Sequence, residues 1–156
     1  MRFLRSFVLV FLCLSIVATY TMAQGIREER PNLIGGELGG KAFFYNISYE
    51  RYLLNNFGIG VGAMGIGLED FAGGLFPVYA TVIPFGNNHA PYIAGGVTIA
   101  TTTIDWKDAN STSLGVFAVG YQYQSDTGLF IRATINYIFK DEFKMILPGI
   151  AIGGSF

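Results

Sequence analysis

Glu37, Glu50 and Arg132 could form a buried polar site in a chain of which only 13% is Asp, Glu, Lys or Arg. Glu50 and Arg132 both occupy the polar side of stretches that alternate apolar with small or polar residues. An enclosed charge must be paired or hydrated, because an unpaired buried charge is costly. We therefore expect Glu50 and Arg132 to meet in the interior, with Glu37 and neighbouring Tyr or Asn residues in the network. Such a network either fills and rigidifies the interior, the favoured interpretation, or supports transport or catalysis.

Other residues that could do chemistry have simpler explanations. Gly60, Gly62 and Gly65 match the GxGxxG pattern of dinucleotide sites, but that site needs a helix starting in the turn. Here a period-two alternation runs through the glycines, as expected for the small inward residues of a narrow barrel. His89 lies in the turn sequence GNNHAP, where a solvated side chain is expected rather than a catalytic base. The sequence predicts no catalytic, cofactor-binding or metal-binding residues, so we expect no cofactor and no enzyme activity.

The first 23 residues have the features of a secretory signal peptide. Arg2 and Arg5 precede a short apolar run, which small residues up to Ala23 follow. The run is shorter than the roughly 20 residues of a spanning helix, so an uncleaved anchor is the less favoured alternative. Cys13, the only cysteine, would leave with this segment. Residues 24–31 are predicted to be a short N-terminal segment, and residues 32–156 a single domain.

Charge and hydropathy then narrow the class of protein. Without Arg2 and Arg5, the number of Lys and Arg residues falls from 10 to 8, against 11 Asp and Glu residues. This acidic balance argues against a nucleic-acid partner, because binding to phosphates requires basic patches. Half of the chain is apolar, yet no second stretch could form a spanning helix. An exported, apolar chain of this kind is explained if it crosses a membrane as strands of about 9–11 residues each.

The periodicity predicts strands along most of residues 32–156. In the sequence GLFIRATINYIF, bulky apolar residues from Leu129 to Phe139 share one face, and Arg132, Thr134 and Asn136 share the other. A soluble barrel would need charged residues on its exposed face, and these strands do not supply them. In lipid the exterior must be apolar, while the interior can be polar or small. The facing of the residues therefore favours a membrane barrel over a soluble one.

Turn residues divide the domain into eight strands, an even number that closes without a free edge. Both termini are then expected at the periplasmic side, with the longest loop, 105–113, and its Trp106 on the outer side. The fourth strand is the weakest assignment, because Pro77 and Pro84 fall within it. We place the strands at about 32–39, 42–54, 57–68, 75–86, 90–103, 113–123, 127–139 and 144–156, with an uncertainty of about 2–4 residues at each end. The predicted fold is an all-β, eight-stranded antiparallel up-and-down transmembrane barrel.

The last predicted strand carries no charge after Lys144 and ends in an aromatic residue. Counting back from Phe156 by twos places Ile152 and Ile150 on the face predicted to meet lipid. Ser155 and Ala151 then point into the lumen. We expect this strand to close the barrel against the first one.

The domain resembles the small outer-membrane β-barrel proteins of Bacteroidetes-type bacteria. The resemblance lies in ELGGKAFFYNISYERYL (37–53), VGYQYQSDTGLFIRATINY (119–137) and PGIAIGGSF (148–156), in that order. It implies the barrel fold and a location in the bacterial outer membrane, with outer-membrane lipid as surroundings. It also implies that the terminal aromatic strand, with Phe156, Ile152 and Ile150, is a signal recognised by the barrel assembly machinery. It carries over no catalytic residues and no ligand.

The function that follows is a structural or interaction role for a barrel whose lumen is largely filled by its own side chains. An eight-stranded barrel is just wide enough for those side chains. The alternative is a small-solute channel or a lipid-binding barrel. A lipid-modifying envelope enzyme is the least favoured class, since no Ser and His pair is apparent on the strands.

Overall fold

The computed structural model describes residues 25–68, 71–104 and 108–156. The predicted signal peptide with Cys13 lies outside these ranges, and so does Trp106. In the part of the chain that is described, no helix is long and apolar enough to cross a membrane.

Eight strands form a closed antiparallel barrel in which each strand pairs with its neighbour in sequence, and the first pairs with the last. The predicted fold class of an all-β, eight-stranded up-and-down barrel is therefore confirmed. A short helix, α1 (Ile26–Glu29), precedes the barrel, and a 3₁₀ turn (Gly40–Ala42) joins its first two strands. The strands are β1 (Asn32–Gly39), β2 (Tyr45–Leu54), β3 (Phe57–Leu68), β4 (Phe71–Val82), β5 (His89–Ile104), β6 (Asp108–Gln124), β7 (Leu129–Lys140) and β8 (Phe143–Ser155).

The strand boundaries differ from the predicted ones at three places. Strand β2 begins at Tyr45 rather than at residue 42, because the 3₁₀ turn occupies the residues before it. Strand β4 covers Phe71–Val82 rather than 75–86, and its ladder with β5 continues through the Gly73–Gly74 pair that the turn chemistry had assigned to a loop. Strands β5 and β6 continue to Ile104 and start at Asp108, so the predicted long loop 105–113 is largely strand. In the second and third cases ladder pairing overrides the local preference of the residues.

The outward faces of the strands are mainly apolar, and most polar strand side chains face inward, as the alternation predicts. Strand β2 shows this residue by residue: Ile47 is 67% exposed, while Asn46, Ser48 and Glu50 beside it are buried. Strand β8 follows the same rule, with Ile150 and Ile152 outside and Ala151 and Ser155 inside. The barrel thus has an apolar exterior, and its lumen holds charged and polar side chains together with buried apolar ones such as Leu33 and Ile138. A soluble barrel would instead carry its charges outside.

The strands are tilted, and the pairing register shows in which direction. A row of paired residues that starts at Asn32, the first residue of β1, ends at Ile146, near the start of β8. Because β8 runs antiparallel to β1, Ile146 lies toward the opposite end of the barrel. The row therefore climbs along the barrel as it crosses the wall, which is the stagger that closing a sheet into a barrel requires. It passes through Arg51, Ile59, Ala80, Gly95, Phe117 and Tyr137.

We name the two ends of the barrel by what lies there. The terminal end holds α1, Phe156 and the turns after β2, β4 and β6. The far end holds the connections after β1, β3, β5 and β7. Both backbone hydrogen bonds between Asn32 and Phe156, at 3.0 and 2.9 Å, close the seam at the terminal end.

Candidate functional site in the barrel lumen

Glu50 on β2 and Arg132 on β7 face each other across the lumen. The Arg132 guanidinium donates two hydrogen bonds to the Glu50 carboxylate, from Nη1 to Oε2 and from Nη2 to Oε1, each at 3.1 Å. Both residues are buried, with 2% of Glu50 and 3% of Arg132 exposed. This two-point geometry is the strongest form of arginine–carboxylate pairing.

Arg132 also contacts Gln122 and Tyr92. Its Nε and Nη2 donate to the side-chain oxygen of Gln122, at 2.9 and 2.6 Å. Its guanidinium carbon lies 3.8 Å from the centre of the Tyr92 ring, a stacked cation–π contact. The Tyr92 hydroxyl donates to Glu50 at 3.4 Å. The pair is therefore fully enclosed by polar and aromatic neighbours, which is what makes a buried charge pair tolerable.

A second ion pair lies nearer the far end and joins Glu37 to Lys41. The Lys41 ammonium donates to both carboxylate oxygens of Glu37, at 3.1 and 3.3 Å, and only 1% of Lys41 is exposed. Asn46 donates to the same carboxylate at 2.9 Å. The predicted residue Glu37 thus lies in the lumen, but it pairs with Lys41 rather than with Arg132.

A tight turn brings Lys41 into the lumen. Gly39 and Gly40 both have positive φ, 71° and 75°, which directs the chain inward after β1. A Cβ on Gly40 would lie within 2.4 Å of a Glu37 carboxylate oxygen, so glycine is needed for the close approach. Sequence reasoning placed Lys41 in the connection between the first two strands. The signal that could have revealed it is the Gly-Gly-Lys sequence with Glu37 four residues before the lysine.

Tyr92 connects the two ion pairs into one network. The Lys41 ammonium lies 4.7 Å from the centre of the Tyr79 ring and 5.5 Å from that of Tyr92, the ring on which Arg132 stacks. Toward the terminal end, Gln122 bonds to the Tyr52 hydroxyl at 3.2 Å. Polar and aromatic contacts therefore follow one another along the lumen from Glu37 to Tyr52.

The helix α1 covers the terminal end of the lumen. The guanidinium of Arg27 donates to the backbone carbonyls of Asn55, Gly86 and Asn87, in the turns after β2 and β4. Its guanidinium carbon lies 5.8 Å from the centre of the Tyr52 ring, so the cap continues the lumen network. Burial disfavours the charged form of the Arg27 guanidinium and so lowers its pKa. The three carbonyl acceptors stabilise that charged form. Sequence reasoning assigned no role to residues 24–31, because a four-residue helix has no periodicity to detect.

The other motifs do not form a chemical site. The glycines of the GxGxxG match continue β3, and a Cβ on Gly60 would lie within 2.4 Å of the Tyr79 ring. The small size of Gly60 and Gly62 therefore makes room for lumen side chains, whereas Gly65 faces outward. His89 lies on the outside, where its Nδ1 is 2.6 Å from the Tyr121 hydroxyl.

The residues predicted as an assembly signal lie together on the outside of β8. Ile150, Ile152 and Phe156 are 62, 57 and 58% exposed. Phe156 is at the terminal end, where its backbone is bonded to Asn32 of β1.

Comparisons with known proteins agree with the fold. No protein-family model matches the chain, and no curated protein matches its sequence. The N-terminal β-barrel domain of Pseudomonas aeruginosa OprF is similar in structure, with a TM-score of 0.62 and 16% identity over 80% of this chain and 96% of that one. The crystal structure of Ail from Yersinia pestis has a TM-score of 0.49 and 18% identity, over 80% of this chain and 96% of that one. The structure of Ail in a phospholipid bilayer nanodisc has a TM-score of 0.48 and 15% identity, over 80% of this chain and 97% of that one. The chain therefore shares the fold of bacterial outer-membrane barrels of eight strands.

Proposed function

We propose that the chain is an integral β-barrel of the bacterial outer membrane, exported by residues 1–23, with a lumen filled by its own side chains. Its role is structural or one of interaction at the membrane surface, and it belongs among the small barrels of Bacteroidetes-type bacteria. The observation that carries the proposal is the inverted arrangement of its residues: the charge pairs lie inside, and isoleucine, valine and phenylalanine cover the outside.

The exterior supports a lipid environment. Among the strand side chains that the structure describes, Arg51 and Lys144 are the only charges in the outward register, and each lies toward an end of its strand. A solvated exterior of this size would expose large apolar patches, which soluble monomers avoid. Hydrocarbon removes that problem, and the closed sheet suits it because each strand pairs with two neighbours and no edge is left open.

The lumen supports a structural role rather than a small-solute channel. The two ion pairs, the tyrosines and Gln122 occupy its length, and Arg27 covers the terminal end. A solute would have to separate charges that have no replacement partners nearby. A lipid-modifying enzyme is less well supported, since the buried charges are engaged with one another.

Two measurements on the purified protein test this proposal. The folded barrel should migrate differently from the boiled chain on a detergent gel, and it should give no steady conductance in a planar bilayer. A chain that stays monomeric and soluble without detergent would overturn the membrane assignment. Ion conductance at the level of an open pore would instead overturn the filled lumen, while leaving the barrel intact.

We also propose that the outward residues Phe156, Ile152 and Ile150 of the last strand are read by the barrel assembly machinery. Exposure of all three on one face at the seam supports this role. Deleting Phe156 should lower the amount of folded barrel in the outer membrane. The matched control is Phe143→Ala, which removes an exposed aromatic from the other end of the same strand. Equal levels for the two variants would contradict the role of Phe156.

A further inference from the structure

A groove of about 520 Å³ runs along the outside of strands β2 to β5. Ala80 and Gly95, paired with each other across β4 and β5, form its shallow floor. The side chains along its walls are Ile59, Val61, Val78 and Val97, with Tyr49 and Arg51 at one end.

The groove exists because small residues replace large ones in one sector of the wall. In the climbing row of paired residues, Ala80 and Gly95 stand between Ile59 and Phe117. Bulkier side chains hold outward positions on other strands, as at Ile135 and Ile150. The missing side-chain volume at Ala80 and Gly95 makes the outer surface concave here.

Arg51 marks the end of the groove that lies toward the terminal end. It points outward three residues before the end of β2, and no hydrogen bond or ion pair joins it to another described residue. Since the row climbs from Arg51 to Gly95, the groove rises from this cation toward the middle of the wall. A charge on a lipid-facing strand costs about 2–4 kcal/mol at the bilayer midplane but about 0–1 near the interface, so Arg51 belongs at headgroup depth.

We propose that this groove binds an anionic glycerophospholipid of the periplasmic leaflet. The phosphate lies against the Arg51 guanidinium, whose donors suit phosphate oxygens, and one acyl chain lies over Ala80 and Gly95 between the valines. The inference rests on the proposed membrane location, which sets the terminal end in the periplasmic leaflet.

Charge complementarity favours a lipid over a second copy of the chain. Among the acidic strand residues whose side chains the structure describes, Glu37 and Glu50 are buried in the lumen and already paired. Another barrel pressed against the groove would therefore leave Arg51 without a counter-charge from its described wall. A lipid phosphate supplies that charge at the right depth.

The test measures lipid selectivity of the barrel in bilayers with spin-labelled phosphatidylglycerol and phosphatidylcholine. The wild type should hold phosphatidylglycerol about five-fold more strongly, as expected for about 1 kcal/mol from one cation near an anionic surface. Arg51→Gln should abolish the preference, and Gly95→Leu should reduce the motionally restricted fraction of both lipids by filling the groove. The matched control, Lys144→Gln, removes the outward cation near the far end and should leave the preference unchanged.

The outcomes separate this inference from the proposed function. A barrel that inserts, shows the heat-dependent gel shift and yet binds both lipids equally would overturn the lipid site alone. A chain that does not insert would overturn both. Loss of selectivity in Lys144→Gln to the same extent as in Arg51→Gln would show general surface charge rather than a site. Cross-linking of two copies through the groove, abolished by Gly95→Leu, would assign the groove to dimerisation instead.

Discussion

Removing Arg132 alone from the Glu50–Arg132 pair should cost far more than removing both charges. In Arg132→Met, the Glu50 carboxylate loses both guanidinium bonds and keeps only the Tyr92 hydroxyl at 3.4 Å. A buried carboxylate left in this way should lower the free energy of unfolding by about 3–5 kcal/mol. Glu50→Gln should cost less, about 1–3 kcal/mol, because Arg132 keeps two bonds to Gln122 and its stacking on Tyr92.

The double variant Glu50→Gln/Arg132→Met removes both charges with side chains of similar length. It should be more stable than Arg132→Met alone by about 2 kcal/mol or more, since no uncompensated charge remains in the lumen. Urea unfolding of the barrel in phospholipid vesicles, followed by far-ultraviolet circular dichroism and by gel migration, gives the three free energies. The reasoning is refuted if Arg132→Met lies within about 0.5 kcal/mol of the wild type, or if the double variant is as unstable as the sum of the single ones.

Three further variants probe the turn, the cap and the exterior. Gly40→Ala should destabilise the barrel by about 1–3 kcal/mol, because φ at this position is 75° and the new Cβ would meet Glu37. The control in the same unfolding assay is Gly36→Ala, whose Cβ would meet nothing within 4 Å. Arg27→Met should cost about 1–3 kcal/mol and speed hydrogen exchange at the terminal end, whereas Arg30→Met, which loses one bond of 3.2 Å, should change both less. Ile135→Lys should lower the stability of the barrel in bilayers by about 2–4 kcal/mol, because Ile135 lies in the middle of its strand. Leu53→Lys should lower it by only about 0–1 kcal/mol, because Leu53 lies near a strand end. Equal, small effects of the two variants would contradict a lipid-facing wall.

The order of the strands and the facing of their residues could be predicted because both are local properties. Alternation fixes which side chains share a face, and turn residues mark where the chain reverses. The inward parity of Glu50 and Arg132 follows in the same way. Their contact across the barrel depends on the register of all the intervening strands, which no local pattern contains.

Lys41, Arg27 and the start of β4 could not be predicted for a different reason. The position of Lys41 depends on a turn stabilised by Glu37 and Asn46, which are distant from solvent only after the barrel has closed. Arg27 finds its carbonyl acceptors in turns 28, 59 and 60 residues away. Residues Gly73 and Gly74 favour a loop locally, yet Thr102 and Thr101 on β5 keep them in the ladder. In all three cases tertiary contacts decide the outcome.

The seam between β1 and β8 has a consequence for how the barrel folds. Seven of the eight ladders join strands that follow each other in sequence, so each can form as a hairpin. The eighth joins residues as far as 124 positions apart, as between Asn32 and Phe156, and closing a loop of that length costs about 4 kcal/mol of chain entropy. Closure should therefore come late, when the curvature of the other seven ladders has already brought the two edges together. Substitutions confined to the seam should then act mainly on the rate of unfolding and leave the rate of folding nearly unchanged.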